Sequence, residues 1–351
     1  MQTAFGSVKN CGRSPLTRLA LILSFFVAAC ASETVAQPPP PPVNWHFLQP
    51  RPVPDAGKTK ATDKERAVAA TYTIALASQG FVALGAALDE EAHFAFAGKE
   101  GDAHGRERVV KAHDALFGAF DERAFSTSRI WLTDSSHALE WTMTGIHARE
   151  WMGIKATRKP VTIKGLTLLW TKDDGSISDI HVYFDESVVK AQLAVRPKDL
   201  LGRSAALPST ATATATAEHE QAGTADEDAN VALVRAALEG LEKNDEAAYL
   251  GRMTDDVVVS TLEQQEALRG KGGAATYFNA MRKAIGLLDV SIETAWGIRD
   301  FVIVEYSIAG RQTAAIGRIP LQRDTMLKIA VTDVVQMRDG KIAHVWRYDS
   351  P

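Results

Sequence analysis

The strongest constraint in this sequence is a repeat. Sliding the chain by the 165 residues that separate Gly105 from Gly270 pairs Ala115 with Ala280, Ala119 with Ala284 and Trp131 with Trp296. The same offset pairs Glu140 with Glu305, Gly145 with Gly310, Thr167 with Thr332 and Asp174-Gly175 with Asp339-Gly340. Ile177 with Ile342 and Tyr183 with Tyr348 complete the series, and no gap is needed within it. Chance does not hold one offset through glycines, tryptophans and turn residues alike, so the chain is read as a duplication. Its 351 residues fit two domains of roughly 150 residues each.

Each copy shows the same order of elements. Thr62-Asp-Lys-Glu65 is a capping-box arrangement ahead of Val68, Tyr72, Ala75 and Leu76, and predicts a helix running towards Leu88. In the second copy, Val231, Val234, Leu238 and Leu241 mark a helix from Asn230 to Leu241. Short acidic helices or turns are expected at Asp89-Glu-Glu91 and Asp255-Asp256, then helices at Arg106–Phe120 and Lys271–Ile285. Strands are predicted at Ser128–Leu132, Ala138–Arg149, Pro160–Thr171 and Ile177–Phe184. Asp173-Asp-Gly175 and Asp339-Gly340 supply hairpin turns. Helices followed by an antiparallel meander make an α+β pattern. Residues 196–226, with Ala-Thr alternation from Thr210 to Ala217, hold too little apolar surface to fold and read as a disordered linker. Its mean reach of about 30 Å lets the flanking domains pack side by side.

These motifs carry a family resemblance. Gly105-Arg-Glu, Phe120-Asp, Glu140-Trp-Thr-Met-Thr-Gly-Ile-His147 and Asp174-Gly…Ile180-His-Val-Tyr-Phe-Asp185 are similar to SnoaL-like polyketide-cyclase domains. Ala156-Thr-Arg-Lys-Pro160 resembles that family's Pro-Thr-Gly-Lys-Pro turn. The resemblance covers residues 63–193 well and 227–349 more loosely. It implies the nuclear-transport-factor-2-like superfamily: two cone-shaped α+β barrel domains, each with helices packed in a curved antiparallel sheet. That superfamily holds isomerases, cyclases, dehydratases, hydrolases and non-catalytic binders, so fold alone does not settle function.

Along Asp179–Asp185, alternate side chains share a face. One face carries Asp179, His181, Tyr183 and Asp185; the other carries Ile180, Val182 and Phe184. The resemblance implies that the Tyr-x-Asp side lines the cone, which leaves the apolar side to be covered by a partner sheet. It further implies Asp185 as general acid/base, with Tyr183 and His147 stabilising a developing oxyanion. Trp141, Met143 and Trp170 would then give an apolar wall, with His181 beside them. The plainer alternative is that Asp185 caps the turn Glu186-Ser-Val and that His181 and Tyr183 are satisfied wall residues. In the second copy Asp185 matches Ser350, His147 matches Gln312, and Asp349 falls opposite Phe184. A one-residue slip moves a side chain to the other face, so Asp349 is expected at a surface or interface. His344, Trp346 and Tyr348 are expected to line a binding site there.

The N-terminus reads as a targeting segment. Lys9, Arg13 and Arg18 precede an apolar run from Leu19 to Ala29, too short to span a bilayer. Val27-Ala-Ala-Cys30 looks like a bacterial lipobox, with Cys30 the lipidated residue. The alternative is a plain secretory signal cut after Thr34-Val-Ala36. Ala31 and Ser32 follow Cys30 without an aspartate, which by the usual bacterial sorting pattern points to the periplasmic face of the outer membrane. A proline-rich stretch follows, as a stiff spacer. The organisation is therefore a signal peptide at 1–30, a spacer at 31–61, domains at 62–195 and 227–351, and the linker at 196–226.

With 43 acidic against 39 basic residues, no basic surface for nucleic acid is implied. The two cysteines, Cys11 and Cys30, leave no thiols for a disulfide or metal site in the folded part. His93, His104 and His113 do not have metal-ligand spacing, and no cofactor motif is present. Gly270-Lys-Gly-Gly273 reads as a helix start rather than an anion cradle. The expectation is an envelope-tethered binder of a small apolar ligand, or a scaffold, arranged as an internal pseudo-dimer or a homodimer. The alternative is a cofactor-independent isomerase, cyclase or hydrolase working through Asp185 on small ring-like substrates.

Overall fold

The computed structural model describes residues 63–78, 81–96, 102–194, 217–262, 266–316, 321–322 and 325–350. The expected signal peptide, Cys30, the spacer and the linker up to residue 216 lie outside these residues. Among the described residues no helix is long and apolar enough to cross a membrane.

The first half contains α1 (Asp63–Ala77), α2 (Val82–Ala87), β1 (Leu88–Phe96), β2 (Ala103–His104), α3 (Arg106–Phe117), β3 (Phe120–Leu132), β4 (Ser136–His147), β5 (Pro160–Thr171), β6 (Ile177–Tyr183) and α4 (Glu186–Ala194). The second contains α5 (Ala225–Glu242), α6 (Glu246–Gly251), β8 (Met253–Thr261), β9 (Leu268–Arg269), α7 (Gly270–Ala284), β10 (Ile285–Ile298), β11 (Phe301–Gln312), β12 (Met326–Arg338) and β13 (Lys341–Ser350). Between them a short β7 (Ala217–Glu220) joins the first sheet parallel to β3. The strand orders are β2-β1-β6-β5-β4-β3-β7 and β10-β11-β12-β13-β8-β9, the same order in both copies apart from β7. Each copy is α+β, a curved sheet wrapped on its own helices.

Several expected boundaries move. Asp89-Glu-Glu91 and Asp255-Asp256 lie in strands β1 and β8 rather than in helices or turns. The linker ends earlier than expected, because Ala217–Glu220 pairs with β3 and Arg66 of α1 forms ion pairs with Glu218 and Glu220. Helix α5 starts at Ala225, where Thr224 and Glu227 form a capping box that satisfies two backbone N–H groups.

Both faces of each sheet are buried, and alternation sorts the residues between them. In the first copy Leu139, Trp141 and Met143 of β4, Val161, Ile163 and Leu169 of β5, and Ile180, Val182 and Phe184 pack against the helices. The opposite faces of the two sheets meet in a shared cluster: Trp131, Ala138, Leu166, Leu168, Trp170 and Tyr183 against Trp296, Ile298, Phe301, Ile303, Ala330, Val334 and Tyr348. The polar contacts across it are reciprocal. Tyr183 donates its hydroxyl to Glu305 at 2.5 Å, and Tyr348 donates to Glu140, the repeat equivalents of one another.

The repeat is not gapless. Glu140 faces Leu166, but its equivalent Glu305 faces Thr332, which places β12 one residue further along than the common offset allows. Tyr183 and Tyr348 are back in step, opposite Leu166 and Thr332. The two flanking hairpins therefore differ by compensating single residues. Thr167 is equivalent to Asp333, not to Thr332, and Gly165 to Val331.

Candidate functional site

The chemistry gathers in the cone of the second copy. Strands β11, β12 and β13 turn Tyr306, Asp333, Arg347 and Asp349 to the helix-facing side, among Val304, Ile308, Val331 and Val345. Asp333 and Arg347 are direct cross-strand partners. Arg347 Nε donates to Asp333 Oδ1 at 2.8 Å and Nη2 donates to Oδ2 at 2.6 Å, a two-pronged contact. Tyr306 donates its hydroxyl to Asp333 Oδ2 at 2.8 Å and accepts from Arg347 Nη2 at 2.5 Å. The guanidinium also lies 4.4 Å from the centre of the Tyr277 ring of α7. Asp333 and Arg347 are only 3% and 4% exposed, so the pair is held out of water.

Burial presses the Asp333 carboxyl well above the carboxylate range, Asp349 adds to this, and the Tyr306 hydrogen bond opposes it. Burial likewise lowers Arg347, while the Asp349 charge raises it. Both groups thus respond to Asp349. One cation and two carboxylates leave an excess negative charge, or a proton retained on one carboxyl.

Asp349 belongs to a pocket. Tyr277, Met281, Ile308, Ile316, Ile329, Val331 and Asp349 line a cavity of about 310 Å³, its open mouth included. Its lining is apolar apart from one carboxylate and a phenol. Asp349 therefore faces the cone and not a surface or interface, as the slip against Phe184 had suggested. The slip is real; the two faces were assigned the wrong way round.

The same reversal relocates most of the expected site. Tyr183 lies between the sheets, where burial and then Glu305 push its phenol well above its ordinary range. His181 Nδ1 lies 2.6 Å from Glu305 Oε1, and Trp170 packs against Trp296 at 6.1 Å. His344 bonds Ser260 at 3.0 Å and stacks on Trp346 at 3.7 Å, Trp346 lies under Arg129, and Tyr348 reaches Glu140. These six residues face the other sheet and do not line a cone. The cause is that the second sheet covers the face carrying the large polar-tipped side chains, while the aliphatic face meets the helices.

Trp141, Met143 and His147 do point into the first cone, but Asp185, Tyr183 and His147 are not brought together. His147 bonds Thr157 Oγ1 at 3.0 Å and burial lowers its pKa. Asp185 Oδ1 accepts from Ser187 N at 2.7 Å and Val188 N at 3.3 Å, the cap of α4. Its buried Oδ2 has no hydrogen-bond partner among the described residues. The first cone is packed with rings. Phe184 contacts Phe96 at 4.7 Å, Phe117 at 6.1 Å and Trp141 at 6.2 Å. A Cβ added at Gly165 would fall 2.4 Å from the Trp141 ring, so the indole occupies the space that a side chain there would need.

Residues 66–193 match the SnoaL-like polyketide cyclase family and residues 234–345 match the SnoaL-like domain family. The chain carries two SnoaL-like domains in tandem. Each is an α+β domain with helices packed on a curved sheet. A comparison with curated proteins finds no match. Solved structures similar to this chain include a proposed SnoaL-like polyketide cyclase from Jannaschia sp. CCS1, 17% identical, covering 36% of this chain and 88% of that one, with a TM-score of 0.33. Another is an LEH-like epoxide hydrolase from M. tuberculosis, 20% identical, covering 35% and 84%, with a TM-score of 0.29. An NTF2-like protein from Burkholderia xenovorans LB400 is 13% identical, covering 35% and 90%, also with a TM-score of 0.29.

Asp333 and Arg347 escaped the sequence reading. An aspartate inside the apolar run Ile329-Ala-Val-Thr-Asp-Val-Val335, and an arginine between Trp346 and Tyr348, were the available signals. Folding that hairpin about Asp339-Gly340 brings the two charges opposite one another to within one residue.

Proposed function

We propose that the second SnoaL-like domain binds a small, largely apolar molecule that presents a hydrogen-bond donor or a positive charge to Asp349. The carrying observation is a cavity whose lining is apolar except for Tyr277 and Asp349, backed by the Tyr306–Asp333–Arg347 network. Arg347 is bound on two sides, to Asp333 and over Tyr277, which keeps the floor of the site in one geometry. The first SnoaL-like domain, with its ring-filled cone, acts as the structural half of an internal pseudo-dimer. The lipobox at Cys30 and the proline-rich spacer support tethering at the periplasmic face of the cell envelope.

A second reading is favoured by the two carboxylates, which sit in unequal surroundings: Asp333 wholly enclosed, Asp349 at the cavity. Groups separated in this way divide acid and base roles between them. On this reading the domain is a cofactor-independent isomerase, cyclase or hydrolase, with Asp349 moving the proton and Arg347 positioning it.

One experiment separates them. The chain and its Asp349→Asn variant are incubated with extract of the source cells, and retained small molecules are identified by mass spectrometry. A compound held by the normal chain and weakened at least tenfold in the variant supports binding at Asp349. A compound held only by the variant, and converted by the normal chain, establishes the enzyme. Equal retention by both, or by neither, overturns the assignment of this cavity.

A further inference from the structure

A second constellation lies away from the cones, at the edge of the first sheet. The antiparallel pairing of β1 with β2 sets His93 opposite His104, with ring centres 4.5 Å apart. Asp102, just before β2, reaches the same point: its Oδ2 lies 3.0 Å from His93 Nε2. One donor atom from each of His93, Asp102 and His104 falls within 4.8 Å of the other two. The sequence spacing concealed this, because strand pairing rather than chain distance brings the histidines together. His113 stays apart in the core, hydrogen-bonded to Tyr72.

We propose that His93, Asp102 and His104 bind a divalent transition-metal ion of the zinc class. Two imidazoles and one carboxylate form a borderline-soft donor set that suits zinc, cobalt or nickel better than calcium or magnesium. Two further observations point to a ligand. The His93 side chain is nine-tenths buried, and its remaining nitrogen, Nδ1, lies 3.5 Å from Asp179 Oδ1. A carboxylate behind the second nitrogen is the arrangement that orients metal-bound imidazole. The other Asp102 oxygen, Oδ1, is buried and has no hydrogen-bond partner among the described residues. His104 is exposed, which gives the ion an entry route and leaves a fourth position for water.

The test uses the full chain without an affinity tag, titrated with Co²⁺ and followed by its visible absorption. One equivalent is expected to bind with the strong bands of a four- or five-coordinate site, and Zn²⁺ is expected to displace it. His104→Ala alters an exposed side chain, so the variant is expected to keep the native circular dichroism and to lose the visible bands. Asp102→Asn is expected to do the same. Asp179→Asn, acting behind His93, is expected to weaken Co²⁺ by about 10- to 100-fold while leaving one equivalent bound. No saturable Co²⁺ signal in the normal chain overturns the site. So does a signal that survives unchanged in both His104→Ala and Asp102→Asn.

Discussion

The two cones share a strand order and differ in what they enclose. At equivalent positions the first holds Trp141, Thr167, Val182 and Phe184, and the second holds Tyr306, Asp333, Arg347 and Asp349. In the first, the Trp141 indole donates to Thr167 at 2.9 Å and Phe184 closes the space with its ring. In the second, the phenol that replaces the indole donates to the carboxylate that replaces the threonine, a guanidinium replaces a valine, and a carboxylate replaces the closing ring. Val331 replaces Gly165, and lines a cavity where Gly165 makes way for Trp141. Five exchanges thus turn an aromatic core into a pocket with a carboxylate in its wall. Duplication allows this, because one copy supplies packing while the other is released from it.

The comparison breaks first at the ion pair. Arg347→Leu leaves Asp333 buried without its partner and is expected to cost about 3–5 kcal/mol. Replacing Tyr306, Asp333 and Arg347 together by Phe, Leu and Met removes the charges without orphaning one. It is expected to be neutral or stabilising by about 1–4 kcal/mol, with loss of ligand retention. Urea unfolding of both variants reads this directly. If the single exchange costs no more than the triple one, the network is not a paired charge site.

The first cone gives the mirror experiment. Phe184→Ala opens a void among Phe96, Phe117 and Trp141 and is expected to cost about 3–5 kcal/mol, while Asp349→Ala at the cavity edge costs less than ~1 kcal/mol. Equal losses at the two positions would show that the second cone is as tightly packed as the first.

Acid falls more heavily on the first copy. In the second domain the partly buried His344 is lowered to about 4, chiefly by burial. His113 and His137, both wholly buried in the first domain, are driven down to about 4 by burial. The folded chain keeps them neutral, whereas the unfolded chain takes up protons near pH 6.5. Their contribution is therefore complete above that pH and is lost as pH falls from 6.5 towards about 4, by roughly 3 kcal/mol each. Stability measured at pH 7 and pH 5 should fall, and His113→Leu with His137→Leu should flatten the slope. An unchanged slope removes these histidines as its cause.

Much of this architecture was legible in the sequence, and the unread part has a definite physical origin. Strand β5 was read at Pro160–Thr171, as it stands, because Pro160 and the Asp173-Asp-Gly175 turn bound it. The faces were not legible. Alternation tells inside from outside only when one side meets water, and here helices cover one side and a second sheet the other. His181 and Tyr183 therefore looked like a pocket wall when they are interface. Asp333 was hidden by the gapless alignment, which set Thr167 against Thr332 and missed the one-residue step in β12. His93 and His104 were hidden because their meeting depends on the pairing of β1 with β2.

The reciprocity between the sheets gives a finer test. Tyr183 and Tyr348 occupy equivalent positions and each donates to the glutamate of the other copy, yet the two glutamates are not equally supplied. Glu140 also accepts from Arg129 through both oxygens, at 2.8 Å each, and from Ser128 at 2.5 Å. Glu305 has His181 at 2.6 Å in addition to Tyr183, and its Oε2 is buried without a hydrogen-bond partner among the described residues. Removing a hydroxyl from a buried carboxylate costs more when fewer donors remain. Tyr183→Phe is expected to destabilise by about 1.5–3 kcal/mol, and Tyr348→Phe by about 0.5–1.5 kcal/mol. The combined variant should lose close to the sum, since the two contacts share no partner. A reversed order would mean that His181 alone satisfies Glu305, and that the asymmetry of the molecule lies in its cones and not between its sheets.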